Sequence, residues 1–487
     1  MTSVLATCSH SNANEIFKDN IFPPTAFVPF MCGNVSDTSK IDKNVKDAIK
    51  HALVQELTYC RKDNGISRIK TSNLARYIRN IFKLCLVKPE NRLLIYNYER
   101  GYWEDDLLVL DRFIYEVIST TLKLKWSDAL KEAIIKEVDK KLPIIKATEL
   151  NNKGFAFKNY SLNYLNNQIV PHNPNLLSTM HSDIEYDPNA TCPIFINNMN
   201  VWFKDDLSTQ SFVQEWFGYV LSGSFKANAF LLVYSKGGEG KSTLFGVLEK
   251  LVGPINTTST SLSNLNTAFG LEPLVGKKLN LASENNAQSF DTSKLKAITA
   301  GEKITVNRKN IAETEMILPI KMVYLLNELP VINDGTRGLM RRLLILPFLN
   351  TIPVDKQDKE LVKKLDNELS GILNWSLQGL HRLQKNNYQF TISTSMQNIK
   401  NQYLTKDELM KLFIQSQIQC SDNHKIEARS VIEAFDSWID SCGYPKSNIS
   451  SPKIFWKTFE IAARVLGVTY TKYKSSGRQV VSGIKLT

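Results

Sequence analysis

A glycine-rich stretch between a predicted strand and a predicted helix holds the residues best suited to chemistry. Residues 231–234 are apolar, residues 235–240 contain three glycines, and residues 241–243 open a helix predicted over 244–251. Glycines let backbone N–H groups point at one centre, and a helix N-terminus adds partial positive charge, so this order predicts a phosphate-binding loop. Ser235 stands at its first position, where glycine is usual. We expect ATP to bind at Gly237, Gly238, Glu239, Gly240, Lys241, Ser242 and Thr243.

Polar residues end the next two apolar strands. Lys241 is expected to reach the β- and γ-phosphates, and the Ser242 hydroxyl to bind Mg²⁺. Glu284 ends a strand predicted over 278–284 and would polarise the attacking water, position Mg²⁺, or do both. Asn327 ends a strand predicted over 321–327 and would orient the attacking water. The alternatives are an ordinary surface turn for the loop, a solvated strand-end glutamate and a turn asparagine.

Arg341 and Arg342 precede a fourth predicted strand, over residues 343–348. Arginine suits the charge that develops on a transferring phosphate, because its donors form a rigid, permanently charged fork. An arginine outside its own site can act on the ATP of a neighbouring subunit. The sequence does not distinguish which of the two would do so, and a solvated pair at a strand start is the alternative.

Two basic segments are candidates for nucleic-acid contact. Residues 294–310 carry five basic residues and one acid, and residues 304–306 and 314–318 predict a hairpin with Arg308 near its tip. Residues 451–487 carry seven basic residues and one acid, on a predicted helix and a terminal hairpin. Such patches can follow a phosphate backbone, although solvated surface is the alternative for both. The candidate DNA-binding residues are Lys296, Lys303, Arg308, Lys309, Lys472, Lys474 and Arg478.

Length, charge and cysteines limit the possible classes of protein. A chain of 487 residues exceeds one core, and a net charge of +12 favours an anionic polymer as partner. Seven scattered cysteines form no Cys-x-x-Cys pair, so we expect neither a disulfide framework nor a zinc ribbon. The sequence has no apolar run long enough to span a membrane and no signal peptide, so we expect no membrane association and a cytoplasmic location.

The distribution of patterns predicts a multidomain α/β protein. Residues 1–40 are expected to form a loosely ordered tail. Residues 41–204 predict a mainly helical domain, with helices over 43–62, 71–82, 107–122 and 127–142 and a hairpin over 92–103. Residues 205–400 alternate strands and helices, which indicates a parallel sheet. Residues 401–487 predict three helices and a terminal hairpin, the arrangement of a winged helix.

Together these motifs resemble the superfamily-three helicases, within the phage/plasmid primase-helicase family. The residues that carry the resemblance are the phosphate loop at 235–243, the acidic strand at 279–284, the basic hairpin at 294–309, the strand end at 325–327, the arginine segment at 334–348, and flanking stretches at 157–159, 171–174, 192–193, 214–218 and 368–379.

This resemblance implies a central ATPase of the AAA+ type and a hexameric ring that hydrolyses ATP between subunits. It also implies 3′-to-5′ movement along single-stranded DNA, contact of a winged helix with duplex DNA at an origin, and replication of a mobile genetic element in a bacterial host cell. The first 200 residues lack an Asp-x-Asp pair with a partnering histidine, so a separate primase or polymerase is expected.

Two other functions remain open from the sequence. A nucleotide-switched DNA-binding protein could mark or melt an origin without processive unwinding. A phosphate-loop protein acting on small molecules is the third possibility, but it leaves the two basic segments unexplained.

Overall fold

The computed structural model describes residues 54, 56–60, 66–284, 292–309, 311–330, 337–403, 406–442, 452–475 and 477–487. The chain forms two compact units, residues 1–161 with 171–179, and residues 162–170 with 180–487. The predicted tail over 1–40 and most of the helix predicted over 43–62 lie outside the described residues.

Where the structure describes it, the first unit contains a four-stranded sheet, in the order β5-β4-β3-β6, and three α-helices. The predicted hairpin is confirmed as β4 and β5, whereas β3 and β6 were not predicted, so the sheet is larger than the sequence indicated. Helix α1 buries Leu74 and Ile78, which are four residues apart and therefore share one face. The elements are β1 (Thr58–Cys60), β2 (Ile66–Ile69), α1 (Thr71–Ile81), β3 (Leu84–Lys88), β4 (Arg92–Asn97), β5 (Tyr102–Glu104), α2 (Leu108–Tyr115, continued by a π-helical turn over Glu116–Thr121), α3 (Asp128–Asp139), β6 (Ile144–Lys146) and β7 (Gly154–Ala156).

The second unit is built on a five-stranded sheet in the order β11-β12-β15-β10-β16, in which every pair is parallel. This confirms the predicted parallel sheet, and β15 is buried throughout because helices cover such sheets on both faces. In chain order, the elements through β16 are β8 (Ser161–Asn163), β9 (Gln168–Val170), α4 (Pro193–Phe203), α5 (Leu207–Leu221), β10 (Phe230–Tyr234), α6 (Lys241–Val252), β11 (Thr257–Thr258), β12 (Leu279–Glu284), α7 (Ser293–Ala300), β13 (Ile304–Arg308), β14 (Ile311–Met316), β15 (Lys321–Leu326), α8 (Arg337–Met340) and β16 (Leu343–Pro347).

Helices α9 (Leu361–Asp366) and α10 (Leu369–Lys385) follow the sheet. Glycines within α10 permit close packing, since a Cβ on Gly379 would lie 2.2 Å from the carbonyl oxygen of Gln214 on α5. The carboxylate of Glu215, which is fully buried, accepts a hydrogen bond from Arg382 Nε at 2.8 Å. Helices α5 and α10 therefore form a tightly packed pair beside the sheet.

Within its described residues, the C-terminal part comprises four helices and a three-stranded sheet in the order β17-β19-β18. The predicted helices and terminal hairpin are present, and β17 is an element that the sequence did not indicate. The elements are α11 (Thr394–Tyr403), α12 (Lys406–Gln417), β17 (Ile418–Glu427), α13 (Ala428–Cys442), α14 (Pro452–Val465), β18 (Thr471–Ser475) and β19 (Arg478–Leu486). One hydrophobic cluster runs from β10 and β15 into these helices, so the C-terminal part packs on the core of the parallel sheet.

None of the helices in the described part of the chain combines the length and apolarity that a bilayer crossing requires.

Candidate functional site

The glycine-rich loop joins the carboxyl end of β10 to the first turn of α6. Gly237, Gly238 and Gly240 have φ angles of 120°, 84° and 88°, a region in which L side chains are strained. A Cβ on Gly240 would lie 2.3 Å from Nε1 of Trp202, whereas a Cβ on Gly237 or Gly238 would meet open space. Position 240 therefore requires glycine both for its backbone conformation and for the space beside Trp202. Gly237 and Gly238 leave the outer face of the loop free for a ligand.

The side chain of Glu239 holds the backbone of this loop through hydrogen bonds. Its side chain is buried, and Oε2 accepts the Gly237 N–H at 2.8 Å while Oε1 accepts the Lys236 N–H at 3.2 Å. The neighbouring Ser235 N–H donates to the carbonyl of Leu326 at 3.1 Å. The structure therefore gives Glu239 a loop-shaping contact, in addition to the nucleotide contact that the sequence predicted for it.

Lys241 lies between the loop and the end of β15. Its Nζ donates to Leu326 O at 2.7 Å and to Asn327 Oδ1 at 3.1 Å, so two of the predicted site residues are in contact. Burial lowers the pKa of Lys241, and the nearby carboxylate of Glu239 opposes that shift. In the same turn of α6, Ser242 is exposed and Thr243 is half-buried, which leaves the Ser242 side chain accessible to a ligand.

Strand register brings Glu284 to the same edge of the sheet. Leu326 pairs with Tyr234 on one side and with Glu284 on the other, so these strand ends are level. Adjacent strands are about 4.8 Å apart, which puts the Glu284 backbone about 10 Å from that of Tyr234. The Glu284 side chain lies outside the described side chains. The glycine-rich loop, Glu284 and Asn327 thus share the carboxyl edge, where ligands of such sheets bind.

The two predicted arginines lie at the opposite edge. Leu343 pairs with Phe230 at the amino end of β10, about 13 to 17 Å of strand from the loop. Arg341 is exposed, whereas Arg342 is buried and donates from Nη1 to Gly338 O at 2.5 Å. Burial, with a smaller contribution from the charge of Arg341, lowers the pKa of Arg342. The structure therefore separates the pair from the loop of the same chain and distinguishes its two members.

A small cavity shares one wall residue with the surroundings of the glycine-rich loop. It has a volume of about 180 Å³, and its lining includes Trp202, whose indole packs against Gly240. The side chain of Asp206, at the start of α5, accepts hydrogen bonds from the N–H of Thr209 at 3.0 Å and from its hydroxyl at 2.7 Å. The lining residues are Trp202, Phe203, Lys204, Asp206, Thr209, Pro347, Leu349, Asn350 and Ser395. Sequence reasoning missed this cavity, because its walls come from three segments distant in the chain.

The predicted basic hairpin is present as β13 and β14, paired from Ile304 with Met316 to Arg308 with Ile311. Lys303 and Lys309 are exposed, and the Lys309 N–H donates to Glu272 Oε1 at 3.3 Å. Arg308 on β13 and Lys296 on α7 are half-buried. The two exposed lysines are therefore the members of this group most available to an anionic polymer.

The C-terminal basic residues have protein partners of their own. Lys472 Nζ lies over the Trp456 ring, 4.7 Å from its centroid, and Arg478 forms an ion pair with Glu427. Lys474, on the same strand as Lys472, is exposed. A cation stacked on an indole still presents its outer face, so all three charges remain on the surface.

Two buried lysines were not singled out from the sequence. Lys278 donates to the Tyr164 hydroxyl at 2.5 Å and to Ser222 O at 3.1 Å, and Lys321 donates to Ser224 O at 2.5 Å. Burial lowers the pKa of Lys321 to about 7 and that of Lys278 well below its usual range. They anchor the amino ends of β12 and β15. Among the residues that the structure describes, no cluster of three His, Cys, Asp or Glu side chains could hold a metal ion.

Comparisons with known proteins cover parts of the chain. Residues 233–342 match a family of unknown function (DUF5906), a span that extends from β10 to Arg342. An 85-residue stretch is 34% identical to the uncharacterized mitochondrial protein ymf21 of Marchantia polymorpha, covering 17% of this chain and 46% of that protein. The match thus spans less than half the length of this curated relative.

Among solved structures, the fold is similar to the apo A form of the NrS-1 C-terminal region. The TM-score is 0.43 at 14% identity, with 84% of this chain and 97% of that chain covered. A second apo structure of the same region gives a TM-score of 0.44 at 13% identity, with 86% and 100% covered. At this level of similarity, none of these relatives assigns an activity to the chain.

Proposed function

We propose that this protein is an ATP-dependent DNA helicase and replication initiator of a mobile genetic element, acting in the cytoplasm of a bacterial host. One observation carries the proposal: the phosphate loop, Asn327 and the strand end at Glu284 are level at one sheet edge, and Lys241 contacts Asn327 at 3.1 Å. A lysine that bridges the loop and the neighbouring strand end suits a γ-phosphate lying between them.

ATP would bind along the loop at Gly237, Gly238, Gly240, Lys241 and Thr243. Backbone N–H groups at the start of α6 would donate to its phosphates, and the neighbouring cavity beside Trp202 would receive the base. Glu239 would hold the loop in the required shape. The exposed Ser242 hydroxyl and the Glu284 carboxylate would hold Mg²⁺, which neutralises phosphate charge, while Asn327 orients the attacking water.

Arg341 would act on the ATP of a neighbouring subunit in a homo-oligomer, which we propose to be a hexameric ring. The geometry supports an action in trans, because a strand length separates this arginine from the loop of its own chain. Its exposure supports Arg341 over Arg342, since the Arg342 guanidinium is already engaged with the Gly338 carbonyl.

DNA would be contacted at two places. The hairpin bearing Lys303, Arg308 and Lys309, with Lys296 behind it, would follow single-stranded DNA through phosphate contacts as ATP is hydrolysed. The C-terminal order of helix, strand, two helices and two strands supports the proposal of a winged helix, which would bring Lys472, Lys474 and Arg478 to duplex DNA at an origin. A separate primase or polymerase would complete replication.

A second candidate is a nucleotide-switched origin-binding protein without processive unwinding. The shared hydrophobic cluster of the sheet and the C-terminal helices favours it, because nucleotide binding could then alter DNA binding directly. Tight duplex binding and ATP hydrolysis without strand displacement would identify this function.

The first test of the proposed site is the ATPase rate of Lys241→Ala beside Lys250→Ala. Lys250 is a matched control on the same helix, where it forms a surface ion pair with Asp366 at 2.5 Å. We expect Lys241→Ala to lower kcat about 100-fold or more, and Lys250→Ala to leave it unchanged. A Lys241→Ala protein that hydrolyses ATP at the wild-type rate would refute the assignment of the site.

A further inference from the structure

Two carbonyl oxygens flank the arginine pair, and one side chain binds both. The Nζ of Lys400, on α11, donates to Met340 O at 2.8 Å and to Leu343 O at 2.9 Å. Met340 ends α8 and Leu343 begins β16, so only Arg341 and Arg342 lie between the two acceptors. The backbone is therefore held immediately before and immediately after the pair.

The same helix contacts the chain that leads towards the arginines from the ATP site. The Tyr403 hydroxyl donates to the carbonyl of Pro330, three residues after Asn327. Lys400 is half-buried, and burial lowers its pKa to about 8. A buried amine is retained where its hydrogen bonds offset the loss of hydration, and here the acceptors are two carbonyls at one structural junction.

We propose that Lys400 is a positioning residue that fixes the backbone on both sides of Arg341 and so sets where the arginine side chain projects. The inference rests on the proposed function, in which Arg341 acts on the ATP of a neighbouring subunit. An exposed arginine has many rotamers, so the anchoring of its backbone decides how often the guanidinium reaches a fixed target. Lys400 itself touches neither nucleotide nor DNA in this scheme.

The test compares Lys400→Met with Lys400→Arg and with a control on the same helix. Methionine keeps much of the length but cannot donate, whereas arginine keeps donors for the two carbonyls. Gln397→Ala is the control, because Gln397 is exposed and its side chain donates to Asn401 Oδ1 within α11, at 2.9 Å. We expect Lys400→Met to lower kcat about 10- to 100-fold while KM for ATP changes less than about twofold. Lys400→Arg should recover part of kcat, and Gln397→Ala should match wild type.

A mixing experiment separates positioning from misfolding. Lys400→Met subunits have an intact phosphate loop, and Lys241→Ala subunits have an intact arginine segment. We expect the mixture to hydrolyse ATP faster than the sum of the separate variants, because each subunit supplies what its neighbour lacks.

An unchanged kcat in folded Lys400→Met, or a lost kcat that mixing does not recover, would overturn the role of Lys400. Wild-type protein without ATPase activity would instead overturn the proposed function itself.

Discussion

Substitution of Arg341 should lower kcat, whereas substitution of the adjacent Arg342 should lower stability. Arg341 is exposed, and an arginine supplied to a neighbouring phosphate contributes about 10³-fold or more to kcat, or about 4 kcal/mol of transition-state stabilisation. Arg341→Ala should therefore lower kcat by about that factor and leave the melting temperature unchanged, because the side chain makes little contact with its own subunit.

Arg342→Ala should affect stability instead. Its Nη1 hydrogen bond to Gly338 O, at 2.5 Å, contributes about 1.5 to 3 kcal/mol as a charge-assisted bond. The buried Nε of Arg342 has no acceptor within the described residues, so the substitution also removes an unfavourable unpaired donor. The net loss in the free energy of unfolding is therefore about 1 to 2 kcal/mol. In a unit of this size that corresponds to a fall in Tm of about 4 °C or less.

The assay pairs steady-state ATP hydrolysis in the presence of single-stranded DNA with thermal unfolding of the same preparations. Arg341→Lys serves as the charge control, since an ammonium cannot form the two-pronged contact of a guanidinium. Two results would contradict these roles. One is an Arg341→Ala protein that keeps kcat within about threefold of wild type, and the other is an Arg342→Ala protein that loses kcat about 10³-fold at an unchanged Tm.

Three further predictions follow from single contacts. Glu239→Ala should raise KM for ATP about 10-fold, because two backbone N–H groups of the loop lose their carboxylate acceptor. An unchanged KM in steady-state kinetics would show that the loop keeps its shape without this carboxylate. Gly379→Ala should lower the free energy of unfolding, measured in urea, by about 1 to 3 kcal/mol, since its Cβ would lie 2.2 Å from a carbonyl oxygen. An unchanged free energy of unfolding would mean that α5 and α10 can move apart without cost. Lys321 has a pKa of about 7 when folded and about 10.4 when unfolded, so between these values the unfolded chain binds the extra proton and stability should rise with pH. Lys321→Met should flatten that rise in urea titrations, and an equal slope in both proteins would contradict the assigned cause.

Local patterns in the sequence predicted the sheet and its carboxyl edge. Three of the four predicted strands are mainly runs of apolar residues, whereas the strand over 278–284 mixes apolar and polar residues, and the loop follows the first strand directly. Because these strands are parallel, Glu284 and Asn327 had to end at the edge where the loop begins, and the register confirms this for the backbone. The basic hairpin was equally readable, from two short alternating stretches around Arg308.

Contacts between distant segments could not be predicted in this way. Trp202 reaches Gly240 from α4, and Lys400 reaches Met340 and Leu343 from α11, so neither shares a local pattern with its partner. Gly379 lies inside α10, where its missing side chain admits the backbone of α5, and a single glycine in the sequence does not indicate which helix approaches it. Strand β17 was missed because most of its residues are polar and carry no apolar alternation.

In the proposed function, ATP hydrolysis at Lys241 is coupled to movement on DNA. The most direct measurement is displacement of a labelled strand from a duplex with a 3′ single-stranded tail, followed together with ATP hydrolysis. We predict that single-stranded DNA stimulates hydrolysis, that the strand is displaced only with ATP and Mg²⁺, and that Lys241→Ala abolishes both. Hydrolysis that is indifferent to DNA and displaces no strand, with either tail polarity, would contradict the helicase assignment.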